Sequence, residues 1–244
     1  MKPSVLAIVH QTDAGPGVFG DALRAAGAEL DEWLITGADG PPRDPTEYSA
    51  VLALGGSMHA DQDDEYPWLE REREILGELV RARVPFLGVC LGAQLLAQAT
   101  GGEAPRLVAP EIGWYEVEVA AEAAGDPLIA ELAPRFEALG WHSYEVALPP
   151  TATLLARSPA CIQAFRIGER AWGIQFHSEV SRRDLALWIE ESRADPDAEG
   201  VDPDALRELS EQRIGEWNEL GRQMARRFLS TAVGGGVEAA PPRP

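Results

Sequence analysis

Residues 84–102 read VPFLGVCLGAQLLAQATGG. VPFLGV is a short apolar run, the pattern of a buried strand. LGAQLLAQATGG is the helix that follows it, closed by Gly101 and Gly102. Cys90 stands at the junction, between two glycines, in a chain with only two cysteines. A buried cysteine by itself is commonly just a small core residue. A residue at so tight a strand-to-helix turn, however, is lifted out of the sheet, and small neighbours such as Gly88 and Gly92 relieve the crowding around it. The helix turns its free N–H groups and the positive end of its dipole toward the sulfur. Such a setting favours a reactive thiolate. The N–H of Leu91 is also placed to stabilise an oxyanion, a donor worth roughly 3 kcal/mol to a transition state.

Working outward, SVLAIVH (4–10), AELDEWLI (28–35) and YSAVLALGG (48–56) read as further strands. Between them, VFGDALRAAG places Phe19, Leu23 and Ala26 on one helical face before Gly27. A helix beginning near Pro67 carries Trp68, Ile75, Leu76 and Leu79 as an apolar stripe. Strands alternating with helices predict an α/β, flavodoxin-like layered fold: a mostly parallel central sheet with helices on both faces. The middle of the chain changes character. EIGWYEVEV, FEALGWHSYEV, ATLLARS, CIQAFRI and AWGIQFH are short β-like runs, expected as added antiparallel strands. The expected domain is 1–192. Residues 193–232 read as an acidic linker and a last helix whose Trp217, Leu220, Met224 and Phe228 share a face, to pack on the domain or on a second subunit. Residues 233–244 read as a disordered tail.

The composition excludes several classes. With 40 acidic and 21 basic residues the formal charge is −19, which opposes nucleic-acid binding through phosphate contacts. No apolar stretch approaches the roughly 20 residues of a membrane span, and the N-terminus lacks the layout of a signal peptide. Two cysteines make no disulfide framework, so a reducing cytoplasm is the expected location. No G-x-x-x-x-G-K-[ST] phosphate loop occurs. A zinc deaminase would need a C-x-x-C pair beside H-x-E. Cys161 is instead far from Cys90 in sequence and sits in an apolar run, where it reads as core. No metal and no organic cofactor is expected.

A cysteine nucleophile needs a base, and the base an orienting group. Of the four histidines, only His177 has a carboxylate, Glu179, two residues on in an extended run. Side chains at i and i+2 of a strand share a face. Glu179 can therefore fix the tautomer of His177, and His177 can take the Cys90 proton and pass it to a leaving amine.

These residues carry a resemblance. GVCLGAQ is similar to the G-x-C-x-G-x-Q nucleophile motif of class I glutamine amidotransferases, and FHSE to their His-x-Glu. The paired glycines of ALGGSMHA resemble that family's oxyanion loop. DEYPWLE, the EIGW segment and the WH segment resemble its stand-alone, GMP-synthase-like branch. The likeness spans roughly the first 190 residues. It implies a Cys90–His177–Glu179 triad that cleaves a γ-glutamyl amide through a thioester. It also implies an oxyanion hole of Gly56 and Leu91 N–H groups, and a substrate site near Gly55, Gln94, Trp141, His142 and Ser143. The chain departs from the family at Ser57, where proline often follows the glycines, and at Ser143–Tyr144, where relatives tend to have Gly-Asp. Three outcomes follow from the resemblance: an amidohydrolase acting on glutamine, a γ-glutamyl peptidase, or a subunit serving a separate synthase. A homodimer is a further option for assembly.

Overall fold

The computed structural model describes residues 2–234. β1 (Ser4–Val9), β2 (Glu29–Leu34), β3 (Ala50–Ala53) and β4 (Phe86–Val89) alternate with α1 (Gly17–Ala25), α2 (Trp68–Arg81) and α3 (Leu91–Ala99). β5 (Arg106–Val119), β6 (Arg135–Tyr144), β7 (Ala152–Arg157), β8 (Ile162–Ile167) and β9 (Ala171–Ile174) then follow with only short turns and 3-10 segments between them. α4 (Arg182–Glu191) and α5 (Pro203–Gly234) close the chain.

All nine strands form one sheet in the order β2-β1-β3-β4-β9-β8-β7-β5-β6. The first five in that order are mutually parallel. The last four continue antiparallel. The fold is the expected α/β, flavodoxin-like one, with a sheet more evenly mixed than mostly parallel. AWGIQFH, expected among the added antiparallel strands, supplies β9, which joins the two halves. Ile174 pairs antiparallel with Ala164 on one side and parallel with Val89 on the other. Strand direction depends on the partner, and β9 is buried on both faces, so no alternation marks its role.

The parallel strands are apolar throughout because each face is covered. Val5, Ala7, Leu52 and Leu87 point to one side, against Phe19 and Leu23 of α1 and Trp217, Met224 and Phe228 of α5. Leu6, Ile8, Val51 and Phe86 point to the other, against Leu69, Leu76 and Leu79 of α2 and Leu95 of α3. The period-2 geometry of a strand divides one continuous apolar run between two cores.

The acidic stretch expected as a linker is packed. It forms 3-10 turns at Ser192–Ala194 and Pro196–Ala198, buries Ala198 and pairs Asp197 with Arg106. α5 runs on to Gly234, two residues into the stretch expected as a tail, and 235–244 lie outside the described residues. Among the described residues no helix is long and apolar enough to cross a membrane.

Candidate active site

Cys90 occupies the turn between β4 and α3 with φ +51° and ψ −108°. A non-glycine residue in this region stores of order 1–3 kcal/mol of strain, and the surroundings must hold it there. Its N–H donates to Ile174 O at 2.8 Å, and its carbonyl accepts from the N–H groups of Ala93 and Gln94, each at 3.0 Å. The flanking glycines are required by contact. A Cβ on Gly88 would fall 2.5 Å from Gly92 O, and one on Gly92 would fall 2.3 Å from Ala53 O. The thiol side chain is buried with only 6% exposure.

The parallel pairing of β4 with β9 brings in the second group. Val89 and Ile174 lie side by side at the C-terminal ends of these strands, so the segments leaving them, with Cys90 and His177, emerge at one edge. That edge is where ligands bind in open α/β sheets. His177 Nδ1 donates to Glu179 Oε1 at 2.7 Å, and the ring lines the same cleft as Cys90. Both His177 and Glu179 are buried. Burial works most strongly against a charge on His177. The Glu179 carboxylate and then the Cys90 sulfur outweigh it, and the imidazole is pushed up to about 10. Gly55 completes the packing: a Cβ there would lie 2.9 Å from His177 Cε1 and 3.5 Å from Cys90 Cβ.

Helices brace this segment from two sides. Trp188 of α4 sets its ring edge-on to His177, with centroids 4.9 Å apart. From α5, Trp217 Nε1 donates to His177 O and Asn218 Nδ2 to Val180 O, both at 2.7 Å. None of these three stood out in the sequence as a site residue. Trp217 read only as part of an apolar face, and a hydrogen bond across 40 residues leaves no local signature.

Gly55, Gly56, Cys90, Leu91, Gln94, Trp141, His142, Ser143, His177 and Glu179 all line one cleft of about 310 Å³. Every expected site residue is therefore gathered in one place. Among the described residues, the N–H groups of Gly56 and Leu91 donate to no protein acceptor. Gln94 is buried, its amide nitrogen 3.3 Å from Tyr144 O and 3.2 Å from Gln175 Oε1. Trp141 O lies 4.0 Å from the Cys90 sulfur. The His142 imidazole is engaged in the protein interior: Nδ1 donates to Tyr144 O at 2.9 Å, and Nε2 faces Glu111 Oε2 at 3.3 Å. Glu111 also accepts from Gln163 Nε2 at 2.7 Å and from the Cys161 thiol at 3.3 Å. Cys161, expected as plain core, is thus part of a buried polar cluster, and burial together with Glu111 pushes its thiol up. Glu111, His142 and Cys161 place ligand-type atoms within 4.8 Å of one another. A hydrogen bond already ties Cys161 to Glu111, and His142 Nε2 approaches the same carboxylate.

The outer wall of the cleft includes Glu191, Asp195 and Asp197, and no lysine or arginine lines it among the described residues. At the departures from the family pattern, Tyr144 donates to Asp61 at 3.1 Å and stacks on His59 at 4.5 Å, while Ser57 N–H donates to Gln11 Oε1 at 2.7 Å.

The family model described as glutamine amidotransferase class-I matches residues 22–188. The chain belongs to the class-I glutamine amidotransferase family. A solved glutamine amidotransferase of Thermotoga maritima is 32% identical, superposes with a TM-score of 0.85, and covers 94% of this chain and 99% of its own. A glutamine-hydrolyzing GMP synthase subunit of Methanothermobacter thermautotrophicus is 36% identical over 53% of this chain and 64% of its own length. The gamma-glutamyl-L-1-hydroxyisopropylamide hydrolase of a Pseudomonas species is 32% identical over 59% of this chain and 52% of its own length. As a class-I glutamine amidotransferase, the chain carries the elbow, the histidine and the paired glycines inside the matched region.

Proposed function

We propose that this class-I glutamine amidotransferase hydrolyses a γ-glutamyl amide through a γ-glutamyl thioester on Cys90. The observation that carries the reading is His177, hydrogen-bonded to the Glu179 carboxylate at 2.7 Å, packed with Cys90 against Gly55 in one cleft. The Cys90 sulfur attacks the amide carbon, and the N–H groups of Gly56 and Leu91 receive the oxyanion. As the tetrahedral intermediate collapses, the C–N bond breaks and His177 gives its proton to the departing amine. A histidine pushed up to about 10 carries that proton at neutral pH. His177 then takes a proton from water, which attacks the thioester to release glutamate and restore the thiol. Glu179 orients the imidazole and offsets its charge. Gly55, Gln94 and the Trp141–Ser143 backbone hold the glutamyl end. The chemistry calls for no metal or organic cofactor, and a reducing cytoplasm suits its two free thiols.

A second reading concerns the leaving group. The hydrolase relative acts on a γ-glutamyl amide other than glutamine, by its name, and the carboxylates on the outer wall suit a neutral or cationic amine. A γ-glutamyl peptidase or conjugate hydrolase would use the same catalytic groups. The likeness to the GMP synthase subunit keeps a separate synthase partner in view, as an alternative to a monomer or homodimer.

Ammonia and glutamate release by the purified protein, offered glutamine and then γ-glutamyl peptides and amides, tests the reading. Turnover that disappears in Cys90→Ala is the expected result. Undiminished turnover in that variant would overturn it. Turnover of conjugates alone would select the second reading. Activity that appears only when a co-purifying synthase is added back would select the partner.

A further inference from the structure

His10 and Glu72 are buried beyond the reach of the proposed chemistry, yet they form a hydrogen-bonded pair directly behind it. His10 follows the last residue of β1 and is fully buried, as is Glu72 of α2. His10 Nε2 lies 2.8 Å from Glu72 Oε2, and Nδ1 lies 3.1 Å from Gly55 O. Trp68, four residues before Glu72 on the same face of α2, stacks on the imidazole with centroids 5.3 Å apart and planes 20° apart. The ring is thus held over its face by one side chain and at one nitrogen by another, and its remaining nitrogen donates to the Gly55 carbonyl.

That carbonyl belongs to the peptide unit whose N–H is Gly56. The unit is trans, so its C=O and N–H point in opposite directions. A hydrogen bond from His10 to Gly55 O on one side therefore aims the Gly56 N–H to the other side. A clamp is needed here because two consecutive glycines leave the plane of this peptide almost free to rotate. Packing limits the loop but does not orient the plane. A Cβ on Gly56 would sit 3.0 Å from His10 Cβ and 3.3 Å from Leu91 Cδ2.

We propose that His10, backed by Glu72, is a positioning residue that sets the oxyanion hole by holding the Gly55–Gly56 peptide with its N–H toward the cleft. The proposal rests on the hydrolase reading above for its kinetic consequence, and on geometry alone for the clamp. Both His10 nitrogens face acceptors, a carbonyl and a carboxylate, so both must carry protons for both contacts to be hydrogen bonds. Burial is the largest influence on His10 and opposes its charge. Glu72, with Gly55 and Leu54 carbonyls, reverses this and raises the imidazole above its ordinary value.

Three variants separate positioning from mere structure. Asparagine places an amide nitrogen near the Nδ1 position of histidine, whereas glutamine places it near Nε2, and phenylalanine keeps the ring without donors. Loss of one oxyanion donor costs about 100- to 1000-fold in kcat, so misaiming it in His10→Phe should cost on the order of 10- to 100-fold. KM should stay within about twofold, because the contact matters chiefly when the oxyanion forms. His10→Asn should recover most of the loss and His10→Gln little of it. Alkylation of Cys90 by iodoacetamide, which generates no oxyanion, should proceed at similar rates in folded variants. Equal kcat in the wild type, His10→Phe and His10→Asn would overturn the positioning role while leaving the hydrolase reading intact. If His10→Phe fails to fold, the Asn-over-Gln order decides instead, and the reverse order would overturn the proposal. Nitrogen-15 NMR of the imidazoles reads the clamp without turnover. His10 should carry protons on both nitrogens at neutral pH, and an unprotonated Nδ1 would sink the proposal even in a protein that hydrolyses nothing. Absence of turnover in the wild type, with both protons present on His10, would instead count against the hydrolase reading alone.

Discussion

Cys90 and His177 illustrate how a few atoms are made unusual by their neighbours. The strained turn sets a buried sulfur at a helix N-terminus on the cleft, and Glu179 raises the pKa of a buried imidazole against the cost of desolvation. The folded value of about 10 for His177 lies above the ordinary histidine value of about 6.5. A raised value means that the stabilisation is present in full below about pH 6.5 and is lost as pH climbs through about 10. Glu179→Gln removes the main source of this stabilisation. Urea unfolding should accordingly show wild type ahead of Glu179→Gln by most near pH 6, with the gap narrowing toward about pH 10; a gap that widens would refute the assignment. The same variant should lose on the order of 100-fold or more in kcat, as a base without its orienting group does. The Cys–His–Glu set was legible in the sequence because each residue stands in a short local pattern, G-x-C-x-G or H-x-E. His10 was not, because its partner Glu72 is 62 residues away and its target is a backbone carbonyl.

Elements decide how rigidly those side chains are held. The 177–180 segment lies beyond the end of β9, and α5 grips it through Trp217, Asn218 and the close approach at Gly221. A Cβ on Gly221 would come 2.0 Å from Ser178 O, between His177 and Glu179. Gly221→Ala should therefore push α5 away and displace His177. In a helix interior this exchange ordinarily stabilises by roughly 0.5–1 kcal/mol. The expected outcome here is the opposite sign: a lower thermal midpoint together with a fall in kcat. A stabilised, fully active Gly221→Ala would show that α5 does not brace the site. The amphipathic face of α5 was readable from its spacing, and Trp217, Met224 and Phe228 are indeed buried. What that face covers was not, since periodicity identifies a buried face without naming the surface beneath it.

The whole molecule carries a formal charge of −19, and its cleft is walled in part by Glu191, Asp195 and Asp197. Such a field repels anionic substrates and is screened over about 8–10 Å at physiological salt. For a γ-glutamyl peptide with an acidic leaving group, KM should fall severalfold as salt rises from about 10 to about 150 mM. For glutamine, which is net neutral, it should hardly move. Michaelis curves at the two ionic strengths check this, and an unchanged ratio between the two substrates would show that the acidic wall does not select the amine. The continuous nine-stranded sheet ties the cleft together at this scale. Its parallel half supplies Cys90, and β9 at the seam leads into His177. The antiparallel half supplies Trp141, His142 and Ser143 from β6.

By itself the amino-acid sequence determined the elements, the α/β class, the elbow and the pairing of His177 with Glu179. All of these are set by contacts within a few residues along the chain: strand and helix periodicity, glycine beside a tight turn, and i to i+2 geometry. Only the tertiary structure decided that β9 lies parallel to β4, and so that the histidine and the cysteine open on one cleft. The same is true of the brace from α5 and the hydrogen bond of His10 to Glu72 behind Gly55. Those arrangements depend on which surfaces meet across the sheet and on where a backbone carbonyl points, and neither is encoded in any local spacing of residues.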